Sequence, residues 1–348
     1  MQNEEKIDIK SLALGELSAL LKEMGEPGFR AKQVYKWLWT GIGSFGEMLN
    51  VPKSLREKLG ERFYISYPKV LRKQESALDG TVKYLWELAD GNAVETVVMR
   101  YNHGNTVCDS SQVGCRMGCA FCASTIGGKV RDLSAGEILD QVMFSEKDSG
   151  LKISNIVMMG IGEPLDNYDN SVKFLRLVGS PDGLNVGYRH ISLSTCGVVP
   201  GIYALAKEDM PITLSISLHA SDDAERSELM PVNKRWNIDA LMTACRDYFK
   251  TTGRRISFEY TLINGKNDTP EKAAALAVLL KKYMGGMPCH VNLIPVNPVA
   301  ERGFDRSAAD RVNAFRDKLT SQGVNATVRR HLGGDIDASC GQLRNRSS

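Results

Sequence analysis

The sequence predicts an α/β fold, a partial parallel (β/α)6-type barrel preceded by a small N-terminal helical domain. From about residue 105, short β-branched runs alternate with helical stretches and give about six strand–helix units. Strands separated by helices lie parallel, and right-handed crossovers between them favour a barrel. At roughly 100–200 residues per domain, a chain of 348 residues accommodates one large and one small domain.

The N-terminal domain, residues 1–75, is predicted to be all-helical. Apolar residues recur at helical spacing in LALGELSALLKEMG (12–25), FRAKQVYKWLW (29–39) and SLREKLGERF (54–63). Residues 76–104 are predicted to form a connecting β-hairpin, because 82–89 and 93–101 alternate around Asp90-Gly91. The barrel and a C-terminal segment are then expected to occupy residues 105–348.

Six strands are predicted in the barrel. One lies in the segment before a cluster of cysteines, and the others are ISNIVMMG (153–160), RHISLST (189–195), ITLSISL (212–218), RISFEYTL (255–262) and CHVNLIP (289–295). Helix starts are indicated by the capping-box patterns Ser134-x-x-Glu137 and Ser307-x-x-Asp310 and by Pro270. In such folds the chemistry is found at the carboxyl ends of the strands.

Composition excludes several classes of protein. Apolar residues make up 43% and charged residues 24%, as in globular proteins, which excludes wholesale disorder. The net charge of +3 neither requires nor forbids a nucleic-acid partner. No apolar run approaches the ~18 residues of a membrane span, and the first ten residues lack the apolar core of a signal peptide. We therefore expect a cytoplasmic protein without membrane association, whose eight cysteines stay reduced.

Four of the cysteines, Cys108, Cys115, Cys119 and Cys122, lie within fifteen residues. The last three form a C-x3-C-x2-C group, and a structural zinc site would normally supply four ligands in paired C-x-x-C units. Three thiolates suit a four-iron cluster with one iron left open. Two other interpretations remain at this point, a zinc site completed by a distant ligand and coincidentally close core cysteines.

Polar residues follow the predicted strands in order. They are Gly162 and Glu163 after the second strand, Ser194 at the third, Ser217, Leu218 and His219 at the fourth, and Asn297 after the sixth. Taken singly, each is typical of a turn or a cap at a strand end. Together they are expected to line one mouth of the barrel.

These motifs resemble those of a known family. C-x3-C-x2-C with Phe121 before the last cysteine is similar to the signature of the radical S-adenosylmethionine superfamily, and the chain from GEPGFRAKQVYKWLW to GGDIDASCGQL resembles the RlmN/Cfr family of RNA adenine methyltransferases. The resemblance implies a [4Fe-4S] cluster bound by Cys115, Cys119 and Cys122. It also implies two S-adenosylmethionine molecules per turnover, contacted by Gly162, Glu163, Ser194, Ser217, Leu218, His219 and Asn297.

The same resemblance implies roles for three residues that would otherwise pass as ordinary ones. Cys340 corresponds to a cysteine that accepts a methyl group, Cys108 to one that forms a transient disulfide with it, and Glu95 to a proton acceptor. Such a route has a chemical reason. Carbon 2 of adenine has no nucleophilic lone pair, whereas a thiolate accepts a methyl group by simple displacement.

The implied reaction is methylation of carbon 2 of an adenosine in 23S ribosomal RNA at the peptidyl transferase centre, and of a tRNA adenosine next to the anticodon. The implied electron donor is a protein such as flavodoxin or ferredoxin, and we expect a monomer. Arg30, Lys32 and Lys36 of the N-terminal domain are candidates for phosphate contacts.

Three alternatives remain. The first is a Cfr-type enzyme that methylates carbon 8, although Glu163-Pro164 and the Gly-Asp-Ile-Asp before Cys340 favour the carbon-2 branch. The second is a radical enzyme of another class, such as a glycyl-radical activase, which lacks the pair of Cys108 and Cys340. The third is a non-catalytic, zinc-dependent RNA-binding module.

Overall fold

The structure, a computed structural model, describes residues 6–344. Its N-terminal part contains strand β1 (Ile7–Asp8), helices α1 (Leu14–Glu23), α2 (Phe29–Leu38) and α3 (Lys53–Arg62), and strand β2 (Phe63–Tyr64), which pairs in parallel with β1. The three predicted helices are confirmed. Their apolar faces form a core of their own, made of buried residues between Ile9 and Phe63.

The rest of the chain is built on a ten-stranded sheet. Its strands are β3 (Lys69–Glu75), β4 (Val82–Glu87), β5 (Ala93–Met99), β6 (Asn105–Cys108), β9 (Ile153–Met158), β10 (Ile191–Thr195), β11 (Thr213–Ser217), β12 (Ile256–Leu262), β13 (Cys289–Pro295) and β14 (Ala326–Val328). Their order across the sheet is β14-β13-β12-β11-β10-β9-β6-β5-β4-β3. The strands from β6 to β14 are parallel, and those from β3 to β6 are antiparallel. Strands β7 (Gln112–Gly114) and β8 (Lys129–Asp132) form a separate hairpin.

Helices follow the parallel strands as the barrel fold requires. They are α4 (Ala135–Ser149), α5 (Tyr168–Gly179), α6 (Val199–Leu205), α7 (Asp223–Leu229), α8 (Ile238–Thr252), α9 (Pro270–Met284) and α10 (Ala309–Ser321). The capping box of Ser134 and Glu137 is confirmed at the start of α4, and Pro270 is the first residue of α9. The predicted box at Ser307 is wrong. Ala308 precedes α10 instead, and no side chain caps it.

The fold class is confirmed, and so is the hairpin of β4 and β5. The expectation that the first 75 residues are all-helical is wrong at β1 and β2, which pair with each other, and at β3, which is an edge strand of the main sheet. All but one of its side chains are exposed, so KVLRKQE lacks the apolar alternation that marks a half-buried strand. Strands β7, β8 and β14 have only three or four residues each and were not predicted.

A buried ion pair joins the N-terminal unit to the barrel. Lys10 Nζ is 2.8 Å from Asp140 Oδ1 on α4, and both side chains are 1% exposed. The same ammonium donates to the Ser66 carbonyl at 2.8 Å, and Ser66 Oγ donates to Asp140 Oδ2 at 2.7 Å. Removing one partner of such a pair leaves a buried charge uncompensated, so the two parts are coupled in stability. No helix within residues 6–344 is long and apolar enough to cross a bilayer.

Candidate active site at the mouth of the barrel

The carboxyl ends of the parallel strands surround a cavity, called here the first cavity, with an empty volume of about 950 Å³ including its open mouth. Most of the residues singled out in the sequence line it, namely Cys115, Cys119, Cys122, Gly162, Glu163, Ser194, Ser217, His219, Asn297 and Cys340. The structure therefore brings together side chains that are up to 225 residues apart in the chain.

The cysteine loop, residues 115–122, is followed by a short helical turn at Ala123–Thr125. Two glycines in and beside the loop, Gly114 and Gly118, have positive φ values of 73° and 72°. A Cβ on Gly114 would lie 1.9 Å from the Gly128 carbonyl oxygen, so only glycine permits the pairing of β7 with β8. Arg302 Nη2 donates to the Cys122 carbonyl at 2.9 Å and fixes the end of the loop.

The three thiols of the loop lie in one cavity but do not form a site for a single ion among the described residues. All three line the first cavity, yet among residues 6–344 no three His, Cys, Asp or Glu side chains converge to hold one metal ion. A zinc ion needs its ligands around a single point, whereas in an iron–sulfur cluster each thiolate binds a different iron. Burial raises the pKa of the Cys115 thiol to about 12, so the metal-free protein holds it protonated.

Glu163 is 3% exposed. It follows Gly162 in a turn where only glycine fits at the preceding position. At Gly162, φ is 110° and a Cβ would lie 2.7 Å from Gln112 Cβ. Glu163 Oε2 accepts the Cys196 N–H at 2.7 Å, and Oε1 accepts the Leu165 N–H at 3.0 Å. Burial raises the pKa of this carboxyl. Each oxygen keeps a second lone pair, so the group can still accept from a bound ammonium.

Strand β11 ends in Ser217-Leu218-His219, and these three residues do not play equal parts. Ser217 and His219 line the first cavity, while Leu218 is fully buried in the main apolar core, which leaves only its backbone for a ligand. His219 Nδ1 accepts the Thr261 N–H at 2.9 Å, so its proton is on Nε2. Burial lowers the pKa of His219 to about 3, which keeps the ring neutral.

A second cavity adjoins the first. It is lined by Met99 on β5, Cys108 on β6, Ile294 on β13 and a run of residues between 329 and 343. Side chains from strands that are not neighbours meet here, which shows that the sheet is curled. Cys340, Asn297, Met159, Ile294 and Arg329 line both cavities.

Cys340 is held by a segment that crosses the barrel mouth, called here the closing segment, residues 332–344. Asn297 Nδ2 donates to the Cys340 carbonyl at 2.9 Å, and the Ala123 N–H donates to the Gly341 carbonyl at 2.8 Å. On the opposite side, Asp335 accepts from Ser76 Oγ at 2.6 Å. The segment is thus tied both to the cysteine loop and to the turn before β4.

Cys108 is buried and lines the second cavity with Cys340, away from the first. Burial is the main cause that raises the pKa of the Cys108 thiol, and the neighbouring Cys340 sulfur and Asp109 carboxyl raise it further. Both cysteines are free thiols in this structure. The predicted cysteine pair is therefore brought to one cavity.

Glu95 lines neither cavity. Strand alternation nevertheless places it on the face of β5 that carries Val97 and Met99, which line the second cavity. Its Oε1 is 3.2 Å from Lys83 Nζ, and its Oε2 accepts the Arg344 N–H at 2.6 Å. Burial raises the pKa of Glu95, and Lys83 opposes that change.

Two arginines at the site were not anticipated from the sequence. Arg226 on α7 is fully buried, and its guanidinium donates to the carbonyls of Cys196, Ser217 and Leu218, which fixes the ends of β10 and β11. Arg329 follows β14 and lines both cavities. Recognising β14 as a further parallel strand would have placed Arg329 at the barrel mouth.

Two family models match the chain. One, described as the radical SAM superfamily, matches residues 110–277, and the other, described as the ribosomal RNA large subunit methyltransferase N-terminal domain, matches residues 7–65. A probable dual-specificity RNA methyltransferase RlmN from Lachnoclostridium phytofermentans is 52% identical over 341 residues, which cover 98% of this chain and 95% of that protein. The protein of the same name from Desulforamulus reducens is 51% identical over 345 residues, covering 99% and 97%.

Among solved structures, the crystal structure of a radical SAM methyltransferase from Sphaerobacter thermophilus is similar to this one. The TM-score is 0.91 at 42% sequence identity, and the match covers 98% of this chain and 100% of that chain. The similarity includes the N-terminal unit, the barrel and the closing segment.

Proposed function

The chain belongs to the RlmN family of radical S-adenosylmethionine RNA methyltransferases, and on that premise we propose that it methylates carbon 2 of an adenosine in 23S ribosomal RNA and in tRNA. Its cofactors are a [4Fe-4S] cluster and S-adenosylmethionine. We assign the cluster to Cys115, Cys119 and Cys122, because these thiols line one cavity and have the C-x3-C-x2-C spacing. Glu163 and its neighbours on the strand ends would then hold the cosubstrate.

The observation that carries the proposal is the position of Cys340 at the boundary of two cavities. A thiol that accepts a methyl group from one molecule and passes it to another must reach both. The first cavity contains the candidate cluster and cosubstrate residues, and the second contains Cys108. We therefore assign the second cavity to the target adenosine.

When bound, the cluster and the cosubstrate supply the methyl group and, from a second cosubstrate molecule, a 5′-deoxyadenosyl radical. Cys340 would accept the methyl group on its sulfur, and one hydrogen atom of that group would pass to the 5′-deoxyadenosyl radical. The remaining methylene carbon would then bond carbon 2 of the base. Once the ring radical has given an electron to the oxidised cluster and its proton to a base, the thiolate of Cys108 would attack the sulfur of Cys340. The bond from that sulfur to the methylene carbon breaks, the released carbon is protonated, and a disulfide remains.

We propose Glu95 as the acceptor of the ring proton. Its carboxylate faces the closing segment and accepts the Arg344 N–H, so it contacts the same segment that carries Cys340. Its raised pKa makes it a better base than an exposed carboxylate. The hydrogen bond from Arg344 has to be exchanged for one from the substrate.

RNA would approach from the second cavity, where Arg306, Arg330 and His331 provide positive charge or hydrogen-bond donors. On the N-terminal unit, Lys32 and Lys36 are exposed and Arg30 is partly exposed, so they remain candidates for phosphate contacts. We further propose that the protein acts in the cytoplasm as a monomer, and that flavodoxin or ferredoxin reduces it. The division into residues 1–75, 76–104 and 105–348 is likewise a proposal.

Mass spectrometry of ribosomal RNA and tRNA from cells with and without the gene tests this function. We expect 2-methyladenosine in 23S ribosomal RNA and in tRNA only when the gene is present. A gene-dependent 8-methyladenosine would establish the Cfr-type reaction instead. Equal modification in both strains would contradict the proposal, and 2-methyladenosine in ribosomal RNA alone would restrict it to one substrate.

A further inference from the structure

Arg329 lies where the two cavities meet, directly after β14. It shares the lining of both cavities with Cys340. Its side chain is 19% exposed, so the guanidinium is partly shielded from solvent but open to a ligand. The proposed steps of methyl transfer do not involve Arg329.

The guanidinium has few partners in the protein. Its Nη1 is 3.6 Å from Met159 Sδ, and a thioether is a weak acceptor. Glu259 Oε2 forms an ion pair with it at 3.9 Å, which is too long for a hydrogen bond, and already accepts from Asn292 at 2.7 Å. Within residues 6–344, no oxygen accepts a hydrogen bond from the Arg329 side chain. Most of its five N–H donors therefore have no acceptor among the described residues.

Arg226 shows the opposite case in the same barrel. Its donors are occupied by four oxygens at 2.7–3.1 Å, which belong to Cys196, Ser217, Leu218 and Asn233. An arginine that only supports the structure is expected to be satisfied in this way. The Arg329 guanidinium is not satisfied in this way, which is what we expect of a side chain whose acceptor belongs to a bound ligand.

The lining of the second cavity restricts the chemistry of a ligand that could bind there. Among residues 6–344, no Asp or Glu side chain lines it, while Arg306, Arg330 and His331 do. Its inner wall, formed by residues such as Val97, Met99 and Leu332, is apolar. A flat, mostly apolar ring with hydrogen-bond acceptors on its edge, attached to a polyanion, fits this lining.

We propose that Arg329 recognises the target adenine by donating a hydrogen bond to N1 or N3, the ring nitrogens that flank carbon 2. Both nitrogens have a lone pair and no hydrogen. A donor fixed beside Cys340 would hold carbon 2 against the sulfur that delivers the methylene group. It would also withdraw electron density from carbon 2, which favours its bond to the electron-rich carbon on that sulfur. The inference rests on the proposed function and deepens it.

The test uses synthetic RNA hairpins in which the target adenosine is replaced by 1-deaza-, 3-deaza- or 7-deazaadenosine. The methylation rate of each analogue relative to adenosine is measured with the wild type and with Arg329→Gln. For one of the two analogues, 1-deaza or 3-deaza, we expect the methylation rate relative to adenosine to fall about 10- to 100-fold more in the wild type than in Arg329→Gln. This factor corresponds to the free energy of a hydrogen bond to a charged group. The 7-deaza analogue should affect both enzymes equally.

Arg330→Gln is the matched control, because it removes a neighbouring charge at the cavity rim. It should weaken binding of all hairpins alike and leave the analogue ratios unchanged. Arg329→Lys, which keeps the charge without the fork of donors, should recover part of the discrimination. Equal ratios in the wild type and Arg329→Gln would overturn the proposal, and so would a loss confined to the 7-deaza analogue.

The assay also separates this inference from the proposed function. A carbon-2 product with equal analogue ratios overturns the assignment of Arg329 alone. A product methylated at carbon 8 of the unmodified hairpin overturns the proposed function and the Arg329 assignment with it. If Arg329→Gln also binds S-adenosylmethionine more weakly without RNA, by the same factor as it loses rate, Arg329 serves the cosubstrate and the proposal fails.

Discussion

The two cavities at the barrel mouth are built from different kinds of structure. Regular elements surround the first, whose side chains stand at the ends of consecutive parallel strands and in the cysteine loop. The second depends on residues 329–343, which contain no α-helix and only one turn of 3-10 helix. Contacts across more than 250 residues, such as Ser76 to Asp335, hold that region in place.

This difference in construction corresponds to the proposed division between residues that bind the cofactors and residues that transfer the methyl group. The first cavity contains the residues assigned to cluster and cosubstrate, which many chemistries on this fold could use. The two thiols assigned to methyl transfer line the second cavity together with Arg329, although Cys340 and Arg329 also line the first. A variant of Cys108, which lines only the second cavity, should therefore leave the iron content of the protein unchanged.

Loss of the cluster is the largest effect we expect. Anaerobically reconstituted wild type should contain about four iron and four sulfide per chain, and Cys119→Ser should contain little of either, with no cosubstrate cleavage. Cys340→Ala and the core variant Cys245→Ala should keep the iron, measured by inductively coupled plasma spectrometry. Stoichiometric zinc in the reconstituted wild type would contradict the cluster assignment.

The two thiols of the second cavity should fail in different ways. Cys340→Ala removes the methyl acceptor, so neither methylated protein nor RNA adduct forms. Cys108→Ala still accepts the methyl group and bonds the base, but cannot release it. It should accumulate RNA attached through Cys340, visible as a nuclease-sensitive shift on a denaturing gel.

If both thiols were only packing residues, each variant would lose about 1–3 kcal/mol of stability and form no adduct. Cys108→Ala that is folded, contains its iron and releases methylated RNA at the normal rate would refute the two-thiol mechanism. Iron content and circular dichroism are the controls for folding.

A smaller effect is expected outside both cavities, on α2. Replacing Arg30, Lys32 and Lys36 together by Ala should weaken RNA binding and reduce the slope of log affinity against log salt by up to about 3, one for each phosphate that is no longer neutralised. Cosubstrate cleavage without RNA should not change. The control is the triple variant at Lys53, Lys58 and Arg62 on α3, whose side chains are also exposed. Identical salt slopes in both triple variants would assign α2 to packing only.

The smallest effect concerns Asp109, next to Cys108. Its side chain is buried, both carboxyl oxygens lack a hydrogen-bond partner among the described residues, and burial raises its pKa well above the usual range. The folded state therefore keeps a proton that the unfolded chain releases near pH 4. Stability falls as the pH rises from that value through the folded pKa.

Asp109→Asn removes this ionisation, so the variant should gain stability over the wild type as the pH rises. An unsatisfied buried group costs about 1–3 kcal/mol, and we expect a melting-temperature advantage of a few degrees at pH 8 and less at pH 5. Asp317→Asn is the control, because that side chain is 65% exposed and pairs with Arg316. A pH-independent difference for Asp109→Asn would show that the carboxyl is solvated.

The first cavity could be predicted from the sequence better than the second. Five barrel strands and the first-cavity residues at their ends were predicted from β-branched runs and strand-end polar residues, because a regular element leaves a periodic local pattern. Leu218 was predicted as a contact with its neighbours, but its side chain is in the core, since alternation turns it away from Ser217 and His219.

The second cavity could not be derived in that way. Nothing in the residues around Cys340 indicates that they return to β6, and only the resemblance to a family suggested the pairing with Cys108. Arg329 was missed because β14 has three residues, too few for a period to appear. The strand β3 was missed because an exposed edge strand does not need apolar alternation.

The closing segment also bears on the order in which the molecule folds. Each parallel strand pairs with its predecessor after one helical crossover, so the sheet can grow by steps of moderate loop length. The hydrogen bond between Ser76 and Asp335 closes a loop of 259 residues, and Arg344 to Glu95 closes one of 249. Contacts of such high order form late, because the entropy of closure is lost before they contribute stability. The barrel can therefore form before the closing segment, which contains Cys340, is in place.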